Sequence, residues 1–120
     1  MSRAYYGALH HVRKRMEEWG CDFLEKRGTH AKVIQGLRCS GVTALILLAD
    51  DLDAFRRRRE KADYDIEACR SSDWDWLVVA KHYDKALQVD NEWGALDEEG
   101  MRRALDGMQN KIKRIEHPRR

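Results

Sequence analysis

Proline is almost absent from this chain. The one proline in 120 residues, Pro118, lies at the C-terminal end, so no interior helix is broken by a missing backbone donor. Cysteine is scarce and odd in number. Cys21, Cys39 and Cys69 show no Cys-x-x-Cys spacing, which argues against a disulfide framework and against a zinc site; no metal and no cofactor are expected. No stretch sustains the period-two alternation of a half-buried strand. Long apolar runs are lacking too. The longest, 44–49, falls far short of the roughly 20 residues that cross a bilayer, and no signal peptide opens the chain. These absences point to a cytoplasmic protein with reduced thiols and no membrane partner. Lysine and arginine number 23 against 21 acidic residues, for a net charge of +2. That balance does not predict nucleic-acid binding by itself; any such role rests on the local clusters at 56–61 and 111–120.

What remains is helix-forming. The chain is 42% hydrophobic and 37% charged, long enough for one core and one domain over 1–120. The expected fold is all-α, an up-and-down helical bundle of about four to five helices. The stretch 42–65 organises it. Val42, Ala44, Leu45, Ile46, Leu47, Leu48 and Ala49 are apolar on all sides, the mark of a helix at the middle of a bundle. Further on, Leu52, Phe55 and Ala62 keep one face inward while Asp50, Asp51, Asp53 and the four arginines 56–59 face water. Arginines at that end offset the negative pole of the helix dipole.

Around this helix the rest reads in order. Ser2 caps a helix to about Trp19, with Tyr5, Ala8, Leu9, Val12 and Met16 on one face and Gly20 as its stop. His10 and His11 are adjacent, so they face different ways, one near the core edge; they are poorly spaced for a metal. Thr29 caps a short helix over 30–37, with Val33, Ile34 and Leu37 inward. Ser72 or Asp73 caps a helix to about Val89, with Trp76, Val79, Ala80, Tyr83 and Leu87 inward; the stretch 90–97, with Gly94, breaks it. A last helix over 98–115 carries the stripe Met101, Leu105, Met108, Ile112 and Ile115, and 116–120 is a frayed tail. The tryptophans, Trp19, Trp74, Trp76 and Trp93, are read as packing residues rather than base-stacking platforms.

Three blocks carry a resemblance. Ser2-Arg3-Ala4-Tyr5-Tyr6-Gly7-Ala8-Leu9-His10, then Arg27-Gly28-Thr29-His30, then Arg59-Glu60-Lys61-Ala62-Asp63-Tyr64-Asp65 resemble, in order and spacing, the signature blocks of the HEPN domain family. The resemblance implies an up-and-down helical bundle, commonly a homodimer. It also implies membership of prokaryotic toxin–antitoxin or defence systems, often beside a small nucleotidyltransferase partner. Active members of the family are metal-independent ribonucleases that use an Arg-x4–6-His motif from each protomer. This chain departs from that pattern: counted from Arg57, the motif histidine is replaced by Ala62, and no histidine lies between Arg56 and Asp65. The chain also begins where family members usually have a preceding helix, which is then absent, replaced, or supplied by a partner.

The candidate site follows from these residues. A guanidinium is a planar, permanently charged fork suited to phosphate, so Arg57 and Arg59 with Tyr64 are expected to bind RNA or nucleotide near a two-fold axis, helped by Arg3, Tyr6 and Asp63. The plainer role for the arginines is a solvated helix end. Cleavage of RNA without metal needs a group to move protons; His10 and His30 are the candidates beside Arg57 and Arg59, and the plainer role for each is a buried structural histidine. By the resemblance, Tyr64 is also a candidate for AMPylation by a nucleotidyltransferase, at seven residues after Arg57. Three functions stand: a phosphate-binding HEPN module, a ribonuclease toxin with a displaced general base, and a non-catalytic module that docks a nucleotidyltransferase or effector.

Overall fold

The computed structural model describes residues 2–25, 27–64 and 76–117. Among them all regular structure is helical: α1 (Ser2–Trp19), α2 (Thr29–Arg38), α3 (Thr43–Tyr64), α4 (Trp76–Leu87), α5 (Val89–Gly94) and α6 (Glu98–Glu116). The molecule measures 47 × 37 × 19 Å, and its thin dimension is about two helix diameters. Helix α1 packs on α3 and α4, and α2 lies between α3 and α6. No helix of the described residues is long and apolar enough to cross a membrane.

The caps show why the elements end where they do. Gly20 has a φ of 120°. Around it, Cys21 N–H donates to the Met16 carbonyl at 2.9 Å and Gly20 N–H to that of Glu17 at 3.1 Å, the paired bonds of a Schellman stop. Helix α2 begins one residue before the expected start, so Thr29 lies inside it. The turn ahead of it is made by Gly28 in the left-handed region, with no side-chain cap. Asp97 caps α6 by accepting the Gly100 N–H at 2.6 Å. Between α2 and α3, the Ser40 hydroxyl donates to the Leu37 carbonyl and accepts from the Val42 N–H, satisfying two groups in the tight turn.

The core takes Tyr5, Ala8, Leu9, Val12 and Met16 from α1, Val33, Ile34 and Leu37 from α2, and Leu45, Leu48, Ala49, Leu52 and Phe55 from α3. Ala86 and Val89, with Ala104, Met108 and Ile112 of α6, complete it. Trp19 and Trp93 are half-buried and stack in parallel, ring centres 4.3 Å apart and 6° from coplanar.

Four expectations need correction. The apolar start of α3 is not buried on every side, because Leu47 is 62% exposed. Asp53 does not face water; it is buried, drawn in by the arginines described below. On α4 the inward residue is Ala86, whereas Ala80 and Leu87 are exposed; Trp76, Val79 and Tyr83 have side chains outside the described residues, as do the expected caps Ser72 and Asp73. The stretch after Val89 is not a break, since α5 continues through Gly94 and the chain turns only at 95–97.

Candidate anion-binding site

Residues 50, 53 and 57 fall on one face of α3 because helical neighbours recur at three and four positions. Arg57 reaches back one turn to place a terminal nitrogen 2.8 Å from Asp53 Oδ2, yet its side chain remains 74% exposed. Arg56 brings its Nε to 3.6 Å from the other oxygen of the same carboxylate. A third guanidinium comes from another helix. Arg38, in the last turn of α2, lies 3.5 Å from Asp53 Oδ2 and donates through Nε and a terminal nitrogen to Asp50 Oδ1 at 3.3 and 3.2 Å. Its position at the end of α2 also suits the dipole of that helix. Three arginines thus converge on one buried aspartate, which fixes where their forks point.

A series of rings ties α1 to this end of α3. Tyr5, buried, meets Phe55 edge-on, centres 5.5 Å apart and 85° between planes. Tyr6 sits 5.6 Å from Tyr5, and His10 stacks one turn on at 6.4 Å and 28°. Tyr6 and His10 both face solvent, so the plain role of a buried structural histidine does not apply to His10. His11 turns the other way and is half-buried. His30, half-buried, stands apart in the first turn of α2, two residues before Lys32. The backbones of Arg3, Arg59, Ala62, Asp63 and Tyr64 belong to α1 and α3; their side chains lie outside the described residues.

The structure therefore joins Arg57 to Arg56, and joins both to Arg38 and Asp53, which the sequence reading had not placed in the site. The pairing of Asp53 with Arg57 was readable from its spacing; the arrival of Arg38 was not, because it depends on how α2 lies against α3. Comparison of the chain with family models, with curated proteins and with solved structures returns no match.

Proposed function

We propose that this chain is a HEPN-like domain of the toxin–antitoxin or defence type that binds the phosphate of RNA or of a nucleotide at the arginine-rich half of α3. The observation that carries the reading is Arg57, held by Asp53 at 2.8 Å while three-quarters exposed. A guanidinium has five donors. One edge spent on Asp53 fixes the fork and leaves the other edge for a bidentate contact with an anion. Arg38 and Arg56, on the same carboxylate, add positive charge beside it, and the solvent-facing rings of Tyr6 and His10 offer an apolar surface for a base.

The test is binding of a single-stranded RNA and of a nucleotide at two salt concentrations. Arg57→Ala is expected to weaken binding for all sequences and lower the salt slope by about 1. Arg57→Lys keeps the charge and loses the fork, and should fall between. Binding that is absent, or indifferent to Arg57, leaves only an interaction module that docks a nucleotidyltransferase or effector partner.

The solvent-facing His10 favours one second reading, a metal-independent ribonuclease in which His10 moves protons in place of the histidine missing at Ala62. Cleavage that persists in EDTA and is lost in His10→Ala and Arg57→Ala would establish it; no cleavage by the wild type removes it.

A further inference from the structure

The start of α3 is apolar all round, and a helix of that kind is normally covered on every side. Here Leu47 is 62% exposed. It stands at the edge of a groove of about 240 Å³ between α3 and the α4–α5 region, lined by Ala44, Leu47, Leu48, Lys85, Gln88 and Glu92. The floor is aliphatic, and the far wall runs in nearly unbroken helical steps, with Gln88 N–H donating to the Asp84 carbonyl and Glu92 N–H to that of Gln88. Along that wall the charges read positive, neutral, negative at 85, 88 and 92.

We propose that this groove is the contact face for a second copy of the chain, related by a two-fold axis close to Gln88. A two-fold contact requires a surface complementary to itself. The wall meets that requirement: turned end for end, Lys85 of one protomer faces Glu92 of its partner, twice. Leu47 supplies the protruding side chain and the groove floor of Ala44 and Leu48 receives it, again in both directions. A small-molecule ligand fits less well, since such a pocket needs a few convergent polar groups over its apolar floor, whereas here Lys85 is held by Asp51 at 3.3 Å. The chain's own 65–75 connection is short for the task. It starts about 25 Å of helix from Leu47 and ends about 18 Å from Gln88, so only full extension would let it touch the groove and return. The interface goes beyond the phosphate reading and does not depend on it. Arg57 lies about 15 Å along α3 from Leu47, so each protomer keeps its own arginine cluster away from the axis.

The experiment is sedimentation equilibrium of the full chain from about 1 to 100 μM, a range that brackets specific association, with a thermal melt of every variant. The wild type is expected to dimerise. Leu47→Glu should raise the dimer Kd on the order of 30-fold or more, as for an anchor at the centre of an interface, without changing the melt of the monomer. Lys85→Glu and Glu92→Lys should each weaken association, because each sets like charges face to face. An equimolar mixture of those two variants should restore it, because in the mixed dimer both pairs are again opposite. If Lys85→Glu disturbs its Asp51 pair and fails to fold, Leu47→Glu and Glu92→Lys decide alone. Arg57→Ala should dimerise as the wild type does. A wild type monomeric at 100 μM, a dimer indifferent to Leu47→Glu or to Glu92→Lys, or folded charge variants that do not rescue each other would each overturn the proposal.

Discussion

Lys32 Nζ lies 2.9 Å from Glu116 Oε2, with the two side chains only 2% and 1% exposed. The ammonium also donates to the Glu25 carbonyl at 2.8 Å, and the carboxylate accepts the Glu25 N–H at 3.0 Å. The pair joins the start of α2, the connection before it and the last residue of α6. Helix α6 thus runs one residue past its expected end, and that residue is fixed in the fold. Removing one partner strands a buried charge, so Lys32→Ala or Glu116→Ala should cost roughly 3–5 kcal/mol, whereas Lys32→Met combined with Glu116→Leu should come out near neutral. Urea unfolding of the four chains as a double-mutant cycle measures the difference.

The same pair sets an acid limit. Burial pushes the Glu116 carboxyl up, but the Lys32 hydrogen bond, the Glu25 N–H and the Lys32 charge outweigh it and hold the group below the usual glutamate value. A carboxyl depressed in the folded state contributes stability above its unfolded pKa and loses that contribution as pH falls through the folded value. Unfolding free energy should therefore drop as pH falls below about 4, and Glu116→Gln should flatten that drop while lowering stability at neutral pH.

Glycines offer a test of how closely α6 approaches the turn after α2. A Cβ at Gly107 would overlap the backbone carbonyl oxygen of Cys39, whereas at Gly94 it would meet nothing. Alanine in place of a helical glycine normally helps by about 1 kcal/mol. Gly94→Ala should follow that rule, and Gly107→Ala should instead lose about 1–3 kcal/mol. Equal melting shifts for the two would contradict the close approach.

On α3, adjacent residues should behave oppositely. Leu45 is fully buried and Leu48 nearly so, and alanine at either should cost roughly 2–5 kcal/mol. Leu47→Ala, measured at sub-micromolar concentration, should stay within about 0.5 kcal/mol of wild type.

Thiol reactivity should separate two cysteines. Cys21 is buried and its pKa is pushed up to about 12, by burial first and by the Asp22 carboxylate second, whereas Cys39 is exposed. In a Cys69→Ser background at pH 8, Cys39 should be alkylated promptly and Cys21 only on unfolding.

Much of this fold can be read from spacing. Met16 and Tyr5 of α1, and Met108 and Ile112 of α6, fall in the core as their periodicity predicts, because in those helices apolar and polar faces alternate clearly. Helix α4 misleads because 76–80 is apolar at every position, so the run has no phase to read. At the site, Asp53 and Arg57 are neighbours on one helix and visible to spacing rules, but Arg38 arrives from a separate helix. Lys32 is hidden for the same reason. A lysine in an amphipathic helix reads as surface, and only a carboxylate 84 positions away makes its burial tolerable.

The connection after α1 has a consequence for how the chain acquires its structure in time. The Gln109 amide spans Asp22, accepting from its N–H at 2.6 Å and donating to its carbonyl at 3.3 Å, and Glu116 takes Glu25. These partners lie 87 and 91 positions apart. During synthesis the first helix and its connection emerge long before the groups that satisfy them. Contacts this distant are slow to close, so folding is completed from the C-terminal end. A nascent chain stalled before Gln109 would hold the backbone amides of Asp22 and Glu25 open to water, and to any chaperone that recognises such segments.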